Sequence, residues 1–261
     1  MNTPLWSPTA ESVETSAIAR LCRVFDLPSS FEALHAFSVE HPGAFWAQWL
    51  KSAGIDTQGS DQPALVHSTD MVSADWFPNL TLNFAAACLS AKHDAPAFVE
   101  FKENGERREL SRATLRGQVG ALSNWLRAQG VVPGDVVAGF LPNGGDAVLA
   151  MLATAAVGAI WTSCSPDFGT SGVLDRFGQT QPKVLFCVDG YDYNGKTHDG
   201  WGKIQRIASE LPGLQTLVCV HYTGNAPALS ASSVPAVALA AAPPPQPQQP
   251  PAAATAGQAA P

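Results

Sequence analysis

Between Val136 and Val220 the chain alternates short apolar runs with helix-length segments, and this alternation leaves few architectures open. The runs Val136–Leu141, Ala159–Ser163, Val184–Val188 and Leu214–Val220 have the length of strands, while Ala147–Val157, Ser171–Gln179 and Trp201–Leu211 have the length of helices. Strands joined through helices become parallel neighbours by right-handed crossovers, so the pattern predicts βαβ units and a largely parallel sheet. Ligands of such sheets sit beyond the carboxyl ends of the strands. This places Ser163–Gly169 and Asp189–Lys196 together on one edge.

The preceding region reads differently. Asn104-Gly105, two residues that accept positive φ, separates the apolar runs Ala97–Phe101 and Arg107–Leu110 and predicts a β-hairpin. Ser111 then caps a long helix with Leu115, Val119, Leu122, Trp125 and Leu126 on one face and Gly130 as its stop. Residues 1 to about 90 read as helical and irregular, with Phe31, Leu34, Phe37, Phe45, Trp46, Trp49 and Leu50 as the apolar faces of packing helices. A turn at Pro78-Asn79 precedes a short helix from about Leu82 to Ser90.

Composition divides the chain again near Asn225. From there to Pro261 no residue is charged or aromatic, and Ala, Pro and Gln dominate, so a disordered tail over 225–261 is expected. The expected organisation is therefore a helical N-terminal cap (1–90), an α/β domain (91–224) and the tail. A net charge of −7 and the lack of a basic run argue against nucleic acid or an anionic membrane as partner and favour small molecules. The five cysteines form no C-x-x-C pair, which fits a reduced, cytoplasmic setting better than a disulfide framework or zinc site. The first thirty residues do not read as a secretory signal, and the uncharged run Ala147–Trp161 is too short for a span of about 20 residues.

Several local patterns invite chemistry. Gly190–Thr197 matches G-x-x-x-x-G-K-[ST], the phosphate-cradling loop of nucleotide hydrolases. Its four variable positions include two tyrosines, and Gly200 and Gly202 interrupt the helix that should start at Lys196, so the loop is too bulky and the helix too late. The loop Thr162–Gly172 reads as a possible anion site at a helix N-terminus or as an ordinary strand-to-helix turn capped by Thr170 or Ser171. Cys164 has no nearby histidine and no G-x-S-x-G context, which suits a buried thiol more than a nucleophile. His35 and His41 do not share the i, i+4 spacing of a helical zinc pair. Asp189, Asp192, His198 and Asp199 around Lys196 read first as solvated loop charges and second as acid–base groups.

An ordered series of segments carries a family likeness: Trp76-Phe-Pro, Leu82-Asn-Phe, Val157-Gly-Ala-Ile-Trp-Thr-Ser-Cys-Ser-Pro-Asp-Phe-Gly, Val173-Leu-Asp-Arg-Phe-Gly-Gln and Asp189-Gly-Tyr-Asp-Tyr-Asn-Gly-Lys. From about Leu5 to Thr223 the chain resembles the acetoacetyl-CoA synthetase family of adenylate-forming acyl-CoA synthetases. That resemblance implies an acid–thiol ligase that joins acetoacetate to CoA through an acyl-adenylate, using ATP, Mg2+ and CoA, and a fold that is part of the ligase N-domain. It also implies that Lys196 and Tyr193 meet the CoA nucleotide and that Ser165, Pro166 and Asp167 form a backbone turn lining the CoA path. The family's ATP loop, adenine and magnesium motif, ribose-binding Asp and catalytic Lys have no counterpart in these 261 residues, so a truncated, catalytically incomplete form is expected. A frameshift, a truncated gene model or a true linker would each give such a tail. An acetate or propionate ligase, a P-loop NTPase and a non-catalytic binding fragment remain as alternatives.

Overall fold

The computed structural model of the protein describes residues 5–67, 69–91, 95–224 and 227–239. The chain divides into two compact units, Met1–Leu82 and Asn83–Pro261, with the division falling ahead of the expected boundary at residue 90.

Among its described residues the first unit holds four helices, α1 (Ala10–Glu14), α2 (Ala17–Val24), α3 (Phe31–Glu40) and α4 (Pro42–Ser52). Thr9, Ser16 and Ser30 cap the first three, each side chain accepting a bond from an amide of the first turn, and Pro42 opens the fourth, where a missing N–H costs nothing. Ala19, Cys22, Leu34, Ala47 and Leu50 are buried. This unit is not only helical and irregular as its sequence suggested. Two short antiparallel pairs, β1 (Thr57–Gly59) with β4 (Leu80–Leu82) and β2 (Leu65–Val66) with β3 (Asp75–Trp76), follow α4. The aromatic residues also differ from simple core faces: Trp46 meets Trp49 and Trp76 edge-on at 5.7 and 6.4 Å, and all three remain more than 40% exposed.

The second unit begins with α5 (Phe84–Leu89), capped by Asn83, whose Oδ1 accepts from the Ala86 amide while its Nδ2 donates to Ala155 O. The hairpin of β5 (Pro96–Phe101) and β6 (Arg107–Ser111) and the helix α6 (Arg112–Ala128) stand where the sequence placed them. Ser111 Oγ accepts from Thr114 N, and Gly130, at φ 76°, ends the helix by letting Val131 N reach back to Leu126 O.

The remaining strands β7 (Val136–Phe140), β8 (Ile160–Cys164), β9 (Val184–Val188), β12 (Thr216–Val220) and β13 (Ala236–Ala238) form one parallel sheet in the order β13-β12-β9-β7-β8. Helices α7 (Gly145–Val157), α8 (Thr170–Thr180) and α9 (Trp201–Glu210) join them, and β10 (Gly190–Tyr193) with β11 (Lys196–Asp199) forms a separate antiparallel ribbon. Side chains alternate between two cores. Val137, Val184, Phe186, Val188 and Val218 face α6 and α7, whereas Ala138, Phe140, Leu185, Cys187 and Leu217 face α8 and α9. Burial on both faces explains why β9 and β12 read as continuous apolar runs rather than alternating ones.

The match to a phosphate-cradling loop, too bulky and too late in its helix by sequence, has no such form in the structure either: Lys196 opens a β-strand instead of a helix, and a ribbon cannot aim consecutive amides and a helix dipole at a triphosphate. One expectation needs correction: disorder over 225–261 does not hold for residues 227–239, which include the turn Leu229–Ala231 and β13, paired in parallel with Leu217–Cys219 of β12. Val234, Ala236, Val237 and Leu239 give this uncharged stretch enough apolar surface to extend the sheet. Residues 240–261 of the expected tail lie outside the described residues.

Candidate functional site at the carboxyl edge of the sheet

From β7 the chain moves to β8 on one side and then returns to β9 on the other, so the crossovers diverge between β7 and β9. A doubly wound sheet opens its crevice at such a point, beyond the strand carboxyl ends. The segments arriving there are Leu141–Gly144 after β7, Ser165–Gly169 after β8 and the β10–β11 ribbon after β9.

The ribbon has a turn that dictates its form. Tyr193 pairs with Lys196 around Asn194-Gly195, both at positive φ (52° and 71°), the geometry of a type I′ hairpin. Tyr191 stacks on His198 at 5.1 Å, and Thr197 Oγ1 donates to Asp192 Oδ1 at 2.7 Å. Tyr193 and Lys196 are exposed at the tip, and among the described residues no carboxylate lies within ion-pairing distance of Lys196. From the turn between β5 and β6, Glu103 accepts bonds from Asn194 N and Gly195 N at 3.2 and 3.1 Å.

In the loop after β8, Pro166 is buried while Ser165 and Asp167 are exposed. Gly169, rather than Thr170 or Ser171, stands at the N-cap of α8 and offers no side-chain cap. Cys164 is buried, and burial pushes its thiol above the ordinary range, away from nucleophile behaviour.

Lys203 joins the two segments and escaped the sequence reading. Its Nζ donates to Pro166 O and Phe168 O at 3.0 and 3.2 Å, and lies 5.7 and 5.8 Å from the ring centres of Phe140 and Tyr191. Arg176 covers Phe168 from α8 with its guanidinium 4.4 Å from the ring centre. The signal for Lys203 was its place beside Ile204 and one turn before Ile207, both buried, which sets it on the boundary of the inward face of α9.

Asp189 is a further departure from the solvated-charge reading. It is 2% exposed, and its Oδ1 accepts from Tyr222 N and Thr223 N at 2.8 and 2.9 Å. Its carbonyl accepts from Gly200 N, so this residue ties the base of the ribbon to the end of β12. Asp199 accepts from Trp201 N at the start of α9.

Two hollows flank these groups. A cleft of about 590 Å³ is lined by Lys102, Glu103, Glu106, Asp192, Thr197 and Tyr222, among others. Lys102 pairs with Glu106 at 3.0 Å, a bond that holds its pKa above the ordinary lysine value, and leaves Glu103 and Asp192 as excess negative charge. Polyanions are thus disfavoured inside this cleft and better met by Lys196 at the tip. The other hollow, about 350 Å³, is lined mainly by apolar groups including Leu141, Val148, Met151 and Trp161, with Ser163 and Ser165 at its polar side.

Comparison with known proteins fits this architecture. The family described as AMP-binding enzyme matches residues 84–257, more than half of the chain and past Thr223, where the resemblance was expected to stop. An acetoacetyl-coenzyme A synthetase of Rhizobium meliloti (strain 1021) is 42% identical over 246 residues, covering 91% of this chain and 37% of that protein. An acetoacetyl-CoA synthetase of Rattus norvegicus is 38% identical over 210 residues, covering 79% of this chain and 31% of its own length. The solved acetoacetyl-CoA synthetase of Streptomyces lividans superposes with a TM-score of 0.82 at 38% identity, over 92% of this chain and 38% of that one. The chain therefore spans about a third of the length of these relatives, between 31% and 38%.

Proposed function

The chain belongs to the AMP-binding enzyme family, and from that premise we propose that it serves acetoacetate–CoA ligation, contributing the surface that receives CoA. The observation that carries this is the meeting of the Ser165–Phe168 turn and the β10–β11 ribbon through Lys203 at the sheet's switch point. The similarity to acetoacetyl-CoA synthetases supplies the reaction: acetoacetate, ATP and CoA give acetoacetyl-CoA, AMP and pyrophosphate.

In this reading Lys196 takes a phosphate of the CoA nucleotide and Tyr193 offers an aromatic face to its base. Ser165, Pro166 and Asp167 border the path of the pantetheine arm, whose mixed apolar and amide character suits the 350 Å³ hollow beside Ser165. Bound CoA would supply the thiol that accepts the acyl group, while ATP and Mg2+ serve the adenylation step that precedes it. The free thiols of Cys22, Cys88, Cys164, Cys187 and Cys219 support a reducing, cytoplasmic setting, and no helix among the described residues is long and apolar enough to cross a membrane.

We further propose that these 261 residues alone do not adenylate. Acetoacetate-dependent ATP–pyrophosphate exchange should be absent from the purified chain, whereas CoA binding should be measurable by titration calorimetry and weakened about tenfold by Lys196→Ala, the loss of one charge-assisted bond. Exchange activity in the isolated chain would refute the incompleteness. An affinity indifferent to Lys196 would remove the ribbon from the CoA site.

A further inference from the structure

A two-residue hairpin leaves its two turn amides outside the strand ladder, and a two-stranded ribbon by itself is only marginally stable in water. The β10–β11 ribbon lies outside the five-stranded sheet, yet both of its turn amides, at Asn194 and Gly195, are satisfied by one side chain from the β5–β6 turn. Each oxygen of the Glu103 carboxylate accepts one of them. An anion spanning two successive N–H groups is a strong and directional arrangement, because both bonds are charge-assisted and point to a single group.

We propose that Glu103 is a positioning residue for CoA recognition: it locks the tip of the ribbon and thereby fixes Tyr193 and Lys196, the residues immediately flanking the turn. This rests on the ribbon being a CoA-contacting surface. The neighbouring carboxylates do other work. Glu106 pairs with Lys102, Glu109 with Arg107, and Asp192 accepts from Thr197, so among these carboxylates it is Glu103 that spans from one hairpin to the other.

The experiment compares the full chain with Glu103→Ala, Glu103→Gln, Lys196→Ala and the control Glu109→Gln, reading amide hydrogen exchange at Asn194 and Gly195 by NMR and CoA affinity by calorimetry. Glu103→Ala should accelerate exchange at both amides several-fold and weaken CoA binding about three- to tenfold, the scale of losing bonds to a partly solvated charge. Glu103→Gln, which keeps one acceptor oxygen, should fall between, and Glu109→Gln should change neither. If Lys196→Ala weakens CoA binding while both Glu103 variants bind as tightly as the wild type, the positioning role is overturned and the CoA surface stands. Unaltered exchange at Asn194 and Gly195 also overturns it. If no variant, Lys196→Ala included, alters CoA affinity, the CoA reading fails and takes this role with it. Should Glu103→Ala not fold, the Gln variant decides.

Discussion

Lys203 holds the carboxyl edge together through backbone carbonyls, a kind of partnership that sequence patterns do not display. Its ammonium has Pro166 O, Phe168 O and two aromatic faces for company, and no carboxylate among the described residues. Lys203→Met keeps most of the aliphatic stem but deletes the donors, leaving two carbonyls to find water. The variant should lose about 1–2 kcal/mol, the usual scale for bonds to a charged donor in a half-buried setting, read as a lower urea midpoint at unchanged slope. An unchanged midpoint would mean that the Pro166–Phe168 turn holds its shape unaided. Asp189 teaches the same lesson from the other sign. A carboxylate beside a tyrosine-rich loop looks solvated in one dimension, and only the approach of Tyr222 and Thr223, more than thirty positions later, turns it into a buried acceptor.

Among the elements, those with a long period or a strong turn were legible beforehand. The apolar runs of β7, β9 and β12, the Asn104-Gly105 hairpin and the Ser111-capped helix followed directly from spacing and capping chemistry. The ribbon did not, although Asn194-Gly195 carries the same signal as Asn104-Gly105, because its flanking residues are polar and two tyrosines obscured the alternation. The pairs β1–β4 and β2–β3 are two or three residues long, below the length at which periodicity has meaning. At the opposite, amino edge of the sheet, elements are tied by charge. Lys183 Nζ donates to Asp135 Oδ2 at 2.9 Å and to Gly130 O, while Val132 N donates to the same carboxylate at 2.8 Å. The Val132 amide first, and then Lys183, hold the Asp135 pKa below its ordinary value. A carboxyl depressed on folding stabilises the native state above the unfolded pKa of about 3.9 and loses that contribution as pH falls through the lower folded value. Asp135→Asn should therefore be less stable than the wild type at pH 7, with the gap closing below about pH 4. Urea midpoints of both proteins at pH 7, 5, 3.5 and 2.5 test this; a gap that stays constant from pH 7 down to pH 2.5 would assign the loss to packing rather than charge.

For the molecule as a whole, the question is where the sheet stops. Every residue of β12 is buried and all but Thr216 are apolar, so a chain ending at Gly224 would leave a largely apolar strand as a bare edge, an arrangement prone to pair with another copy. Residues 227–239 cover that edge. Leu217 N donates to Pro235 O, Leu217–Cys219 pair with Ala236–Ala238, Val237 and Leu239 pack onto one core, and Val234, with Leu229 from the preceding turn, packs onto the other. Composition argued for disorder here because it counts the absence of charge and the presence of proline across the whole stretch, whereas three strand residues beside an existing template need only a few apolar contacts. Partial burial of four such side chains is worth about 3 kcal/mol. A chain ended after residue 239 should accordingly unfold at higher urea than one ended after residue 224, and the shorter chain should show concentration-dependent light scattering that the longer one lacks. Equal midpoints and equal scattering would remove β13 from the stabilising sheet and return the edge of the fold to β12.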